Sequence, residues 1–295
     1  MLMKIILSRK GFDSTAGSCA SPIFERDGRL LSLPIPTTVS PTTFQDIQFA
    51  NLSLGPLVEG LSGGKRRASE STHLDPDLRR DAIARLPGWR PAFGQNSSAQ
   101  SHLANMGIAK GDLFLFFGWF REAILRKDSW LYKPGSPDLQ VIFGWLQIDE
   151  VIPVGPSPIQ IVEKKPWLKD HPHLHAPEVT QKSNVIYVAS DHLSIPGLSA
   201  IDGIDGGGVF NRISESRTLT SPGQKLRSIW RLPSFFHPEK FNRQLTYHRD
   251  IRRWTPVDSS QNTTILRSVG KGQEFVMTWD QTSDEIDWLK RIFSV

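Results

Sequence analysis

The 295 residues, 38% hydrophobic and 22% charged, are enough to bury a sizeable core, and this composition excludes a globally disordered chain. The net charge of +5 is a mild basic excess, compatible with nucleotide or nucleic acid partners without requiring them. A single cysteine, Cys19, excludes an internal disulfide and a Cys-rich zinc site and points to a reducing compartment.

The first element is a short strand from Lys4 to Leu7. Ser8-Arg9-Lys10 follows at once, so the apolar run is too short for a signal peptide. No stretch reaches the roughly 18 apolar residues that span a bilayer, and the expectation is a soluble, cytoplasmic protein with no membrane partner. "SPIFE" and "RLLSLPIP" flank Asp27-Gly28, a strong hairpin turn pair. Residues 37–75 are rich in Thr, Ser, Pro and Gly, and 59–71 read as an exposed, flexible loop. "DPDLRRDAIARL" (75–86) predicts a helix with Asp75 as its cap and Pro76 at its first position. Three apolar runs, 111–120, 139–154 and 183–190, predict buried strands, the first two joined through a long hairpin loop. "GKGQEFVMTW" predicts a last strand. "TSDEIDWLKRIF" predicts an amphipathic helix with a Thr282/Glu285 capping box. Many turns and short strands give a β-rich α+β class: a mixed or barrel-like sheet with a few short peripheral helices, in one domain over 1–295.

Three stretches carry candidate chemistry. In "SRKGFDS", Gly11 permits a left-handed turn that exposes backbone N–H groups. Ser8, Arg9, Lys10 and Gly11 would then hold phosphate, and Asp13 would serve as acid or base. The competing reading is a charged turn in which Asp13 caps its own backbone. A phosphate loop is excluded, because G-x-x-x-x-G-K-[ST] is absent. In "KDHPHLH", His171, His173 and His175 alternate. On an extended segment they would share a face, as catalytic or ligand groups (His171, His173) or as a metal site (all three). Pro172 argues against a regular strand there. In "SPGQKLRSIWRLPSFFHP", Arg227 and Arg231 interleave with Trp230, Phe235 and Phe236, which suits phosphate contacts beside stacked bases; for any single residue the competing reading, a loop packed against the core by its aromatics, is favoured. The glycine run 201–210 lacks the strand and helix of a dinucleotide fingerprint and is rejected as one. No cofactor is assigned.

"KIILSRKGFDSTAG", "SPIFERDGRLLSLPIP", "GDLFLFFGWFRE", "IFGWLQIDEVI", "HPHL", "NVIYVAS", "LTSPGQKLRSIWRLPSFFHP" and "LTYH" follow one another along the chain. Together they resemble the nucleotide modification associated domain 3 family. The resemblance implies a bacterial or phage protein of a system that modifies nucleotides or bases in DNA, with possible partner proteins of that system. The strand pair "GDLFLFFGWF" and "IFGWLQIDEVI" is also similar to PUA-like barrels of the ASCH and EVE type, which read modified bases. Two functions follow. One is an enzyme acting on a nucleotide or nucleobase, with phosphate held after the first strand. The alternative is a non-catalytic reader, stacking bases on Trp119, Trp145 and Trp230 with Arg121, Arg227 and Arg231 on phosphate.

Overall fold

The computed structural model describes residues 2–38, 40–50, 52–155, 158–175, 177–198, 201, 203–239 and 245–294. Nine strands build one mixed sheet: β1 (Lys4–Arg9), β2 (Ser21–Phe24), β3 (Ala92–Gln95), β4 (Leu113–Arg126), β5 (Ser129–Tyr132), β6 (Leu139–Pro153), β7 (Val185–Ala189), β8 (Gly207–Val209) and β9 (Glu274–Thr278). The main path runs β9-β1-β4-β6-β7-β3, with β8 on β6 and with β2 and β5 on β4. β1 is parallel to β4 and antiparallel to β9. The α-helices among the described residues are α1 (Leu54–Leu61), α2 (Ser97–Asn105), α3 (Ile159–Lys164) and α4 (Ser283–Phe293). The protein is therefore α+β and strand-rich, built on a large mixed sheet.

The apolar runs are continuous because both faces of the sheet are covered. Ile5, Leu7, Leu115 and Phe117 face one core, which Trp230 and the Leu289 and Ile292 side of α4 complete. Ile6, Phe114 and Phe116 face the other, with Phe93 and Tyr187. α4 begins with the capping box foreseen at Thr282 and Glu285. The Asp27-Gly28 turn also forms, with Gly28 at φ +69° and Ile23 paired to Leu30.

The sheet coils until its far edge returns over its middle. Phe93 of edge strand β3 meets Phe114 and Phe116 of β4 edge-on, each at 5.1 Å between ring centroids. Beside it, Gln95 Nε2 donates to Glu274 Oε1 of the opposite edge strand β9 at 2.6 Å. Among the described residues β3 and β9 form no ladder, so the coil stays open rather than closing as a barrel. The end of β1 lies at this opening.

Local expectations failed where long-range partners took the backbone. No helix forms over 75–86. Asp77 exchanges both backbone hydrogen bonds with Ala92 of β3, at 2.9 and 3.0 Å, and Arg85 binds the Asp77 carboxylate and the Arg79 carbonyl. Those groups extend the sheet edge instead of a helix. The linker-like run 59–71 starts inside α1, where Leu61 is buried. In place of a long hairpin loop, β4 runs on to Arg126 and turns at Lys127-Asp128, both at positive φ, into β5. Pro172–Leu174 is a 3₁₀ turn rather than an extended segment, so the three histidines do not share a strand face.

Candidate active site

Alternation carries Arg9 and Lys10 to opposite faces as β1 ends. Arg9 lies against Phe117 and Phe275, at 5.8 and 5.6 Å from the ring centroids, and donates to the Gly270 and Val269 carbonyls at 3.0 and 2.8 Å. Burial lowers its pKa, while Asp13 acts to raise it and Arg227 to lower it. Lys10 Nζ sits 4.6 Å over the Phe93 ring and pairs with Glu274 Oε1 at 2.7 Å. Gly11 follows at φ +81°, where a side chain would be strained and its Cβ would meet Ser32 Oγ at 2.6 Å. Asp13 Oδ1 accepts from the Thr15 and Ala16 N–H groups at 2.7 and 2.6 Å. The loop-capping geometry is therefore real, and the same side chain faces a cleft.

That cleft, of about 340 Å³, is lined by Arg9, Lys10, Gly11, Asp13 and His173 together with His73 and Asp75. The remaining walls come from β3 and its continuation, Gly94, Gln95 and Asn96, and from the loop Gly270, Gly272 and Gln273.

At its floor is a buried carboxyl–imidazole cluster. Asp75 Oδ1 accepts from Gly94 N–H at 2.7 Å and lies 3.6 Å from His171 Nε2, while Oδ2 lies 3.8 Å from His173 Nε2. Both imidazole separations exceed hydrogen-bond length. A charged pair could form across them, but burial disfavours either charge. It raises the Asp75 carboxyl to about 8, lowers His173 to about 4 and His73 to about 3, and holds His171 well below its ordinary range. Near neutral pH the cluster therefore holds a protonated carboxyl among neutral imidazoles. Asn184 fixes the tautomer of His173. Its Nδ2 donates to the His173 carbonyl at 2.9 Å, so its Oδ1, 2.6 Å from His173 Nδ1, must accept. His173 then carries its proton on Nδ1 and turns the Nε2 lone pair toward Asp75. His171 Nδ1 accepts from His173 N–H at 3.3 Å, which leaves its proton on Nε2, buried without a hydrogen-bond partner among the described residues.

The other sequence candidates lie elsewhere. Ser8 is fully buried in the sheet and lines no part of the cleft. His171 stands behind Asp75, and His175 bonds the Lys169 carbonyl at 2.8 Å. Among the described residues no group of three or more His, Cys, Asp or Glu could hold a metal ion. Arg227 stacks 4.2 Å over Trp119, whose indole N–H donates to Asp138 at 2.8 Å. Arg231 pairs with Glu215 at 2.5 Å in a separate groove beside α4. Trp230 is a core residue with no exposed surface, bonded to Gln140, and so is no stacking platform. Trp145 packs against Phe210 and Phe293 and donates to the Asp205 carbonyl at 2.9 Å.

Sequence reasoning missed Asp75, His73 and Asn184. His73 and Asp75 alternate on an extended segment, the same period-two signal as in the 171–175 run, but Asp75-Pro76 also carries the signature of a helix start, which masks it.

Fold and cleft together define an α+β protein with a buried acid–base cluster at the opening of a coiled sheet. The chain belongs to the nucleotide modification associated domain 3 family, whose model matches residues 4–278. Comparison with curated proteins and with solved structures gives no match. The family description ties the protein to nucleotide modification. Among the described residues no helix is long and apolar enough to cross a membrane.

Proposed function

We propose that this protein is a cytoplasmic enzyme of a nucleotide modification system, acting on a nucleotide or on a base in nucleic acid held in the cleft after β1. One observation carries the reading: Arg9, Asp13, Asp75 and His173, from three distant stretches of chain, line a single cleft. Its volume of about 340 Å³ falls within the range of ligand sites. Asp75, protonated at neutral pH, is the proton donor, and His173 Nε2, its lone pair fixed by Asn184, is the acceptor. Asp13 orients the substrate from the opposite wall. A reader would instead need exposed stacking surfaces; of the tryptophans proposed for that role, Trp230 is fully buried, Trp119 lies under Arg227, and half-buried Trp145 packs against Phe210 and Phe293.

The test is mass spectrometry of nucleosides after incubating the protein with the free nucleotide pool and, separately, with DNA. The expected result is a mass change that disappears with His173→Asn and with Asp75→Asn while circular dichroism shows both variants folded. Tight binding of a base with no product, unaltered in the two variants, would move the protein to the reader class.

A further inference from the structure

The two cations that line the cleft are already engaged. Lys10 gives its ammonium to Glu274, with only 10% and 1% of the two side chains exposed. Arg9 gives both terminal nitrogens to backbone carbonyls, and its Nε is buried. Against these cations stand the Asp13 and Glu274 carboxylates, while Asp75, His73 and His173 are uncharged near neutral pH. A phosphate dianion placed here would have to share Arg9 with the Gly270 and Val269 carbonyls, compete with Glu274 for Lys10 and lie beside Asp13.

Uncharged recognition groups are what the walls offer. Asn96 stands at the start of α2, yet its side chain caps no helix N–H. Among the described residues neither its carboxamide nor that of Gln273 has a protein hydrogen-bond partner, and both line the cleft. Asp13 uses only Oδ1 in its own loop. Two carboxamides and a carboxylate oxygen are the groups that read the donor and acceptor edges of heterocycles. An exposed cation, Lys271, sits just outside, between the lining residues Gly270 and Gly272.

We infer that the cleft takes the uncharged nucleobase end of the substrate, its edge read by Asp13, Asn96 and Gln273, and leaves the phosphate outside beside Lys271. This rests on the nucleotide reading above and reverses the orientation expected from the polar turn after the first strand.

Calorimetric titration of the full chain tests it, using each of four nucleosides, their 5′-monophosphates, inorganic phosphate, and single-stranded oligonucleotides with and without an abasic position. For at least one base, nucleoside and monophosphate should bind within tenfold of each other, and phosphate should not compete. Asn96→Ala and Gln273→Ala should each weaken both ligands about tenfold without shifting the melting temperature. If the substrate is a base within a strand, the oligonucleotide should bind and its abasic counterpart should not. Competition by phosphate, a monophosphate bound more than tenfold tighter than its nucleoside, or equal binding of the abasic strand would overturn the orientation and leave the nucleotide reading standing. Binding of none of these ligands would overturn both.

Discussion

The stability contributed by the Asp75 carboxyl should fall as pH rises from about 6.5 to 8, so the wild-type protein should lose stability relative to Asp75→Asn. Burial outweighs every other influence on this carboxyl. The Gly94 N–H and Lys10 act to lower its pKa and Asp77 and Glu274 to raise it, and the result is about 8 against an ordinary 3.8. In the facing imidazoles of His171 and His173 burial opposes charge. A carboxyl raised in the folded state loses its proton first in the unfolded chain. The native state therefore binds more protons between the two pKa values, and unfolding free energy declines with rising pH across that window, by about 1.4 kcal/mol per unit. The buried histidines have the opposite sign. His73 at about 3, and His173 and His248 at about 4, are neutral when folded while the unfolded chain takes up protons below 6.5. Their contribution rises with pH, is still growing at 6.5 and is complete only about one unit higher, so it offsets part of the Asp75 decline over the same interval. The part of the stability due to Asp75, read as wild type minus Asp75→Asn, should therefore fall by about 1–2 kcal/mol between pH 6.5 and 8. Urea unfolding at half-unit intervals measures this, with Asp75→Asn as the control that removes the ionisation and keeps the shape. A difference between wild type and Asp75→Asn that stays flat or grows over that interval would refute the reasoning.

Gly94→Ala would drive a Cβ into the His173 ring. It should displace that imidazole from Asp75, lower the melting temperature and abolish nucleoside binding in the same titration. Lys10→Met should cost about 3–5 kcal/mol in urea unfolding, because it strands the buried Glu274 carboxylate, and adding Glu274→Gln should restore most of that loss. Thr282→Ala removes the capping box of α4 and should cost about 1 kcal/mol while leaving nucleoside affinity unchanged, since α4 lines no part of the cleft.

What the sequence disclosed was what local chemistry decides. The apolar runs of β1, β4, β6 and β7, the Asp27-Gly28 turn and the Thr282/Glu285 box are each set by neighbours within a few residues, and each was legible. The 75–86 segment misled because its helix signals were outweighed by Ala92 and Gly94, which lie some 15 to 20 positions away and exist as partners only once β3 is in place. Part of the cleft could be anticipated: Arg9 and Asp13 stood out in a dense polar turn directly after an apolar strand, and His173 as one of three alternating histidines. Their surroundings could not. That Lys10 is neutralised by Glu274, 264 positions away, and that Asn184 sets the tautomer of His173, are products of the coil of the sheet. The phosphate role expected of the first turn rests on charge alone, and the counter-charge that Lys10 meets in Glu274 was not visible in the sequence.

The most direct measurement is a crystal structure of the protein soaked with the monophosphate of the best-binding base. The account predicts the base in the cleft after β1, hydrogen-bonded to Asn96 or Gln273 and facing His173 Nε2, with its phosphate outside by Lys271. A nucleotide seated elsewhere, for instance in the groove beside α4 lined by Arg231 and Asp287, would contradict it.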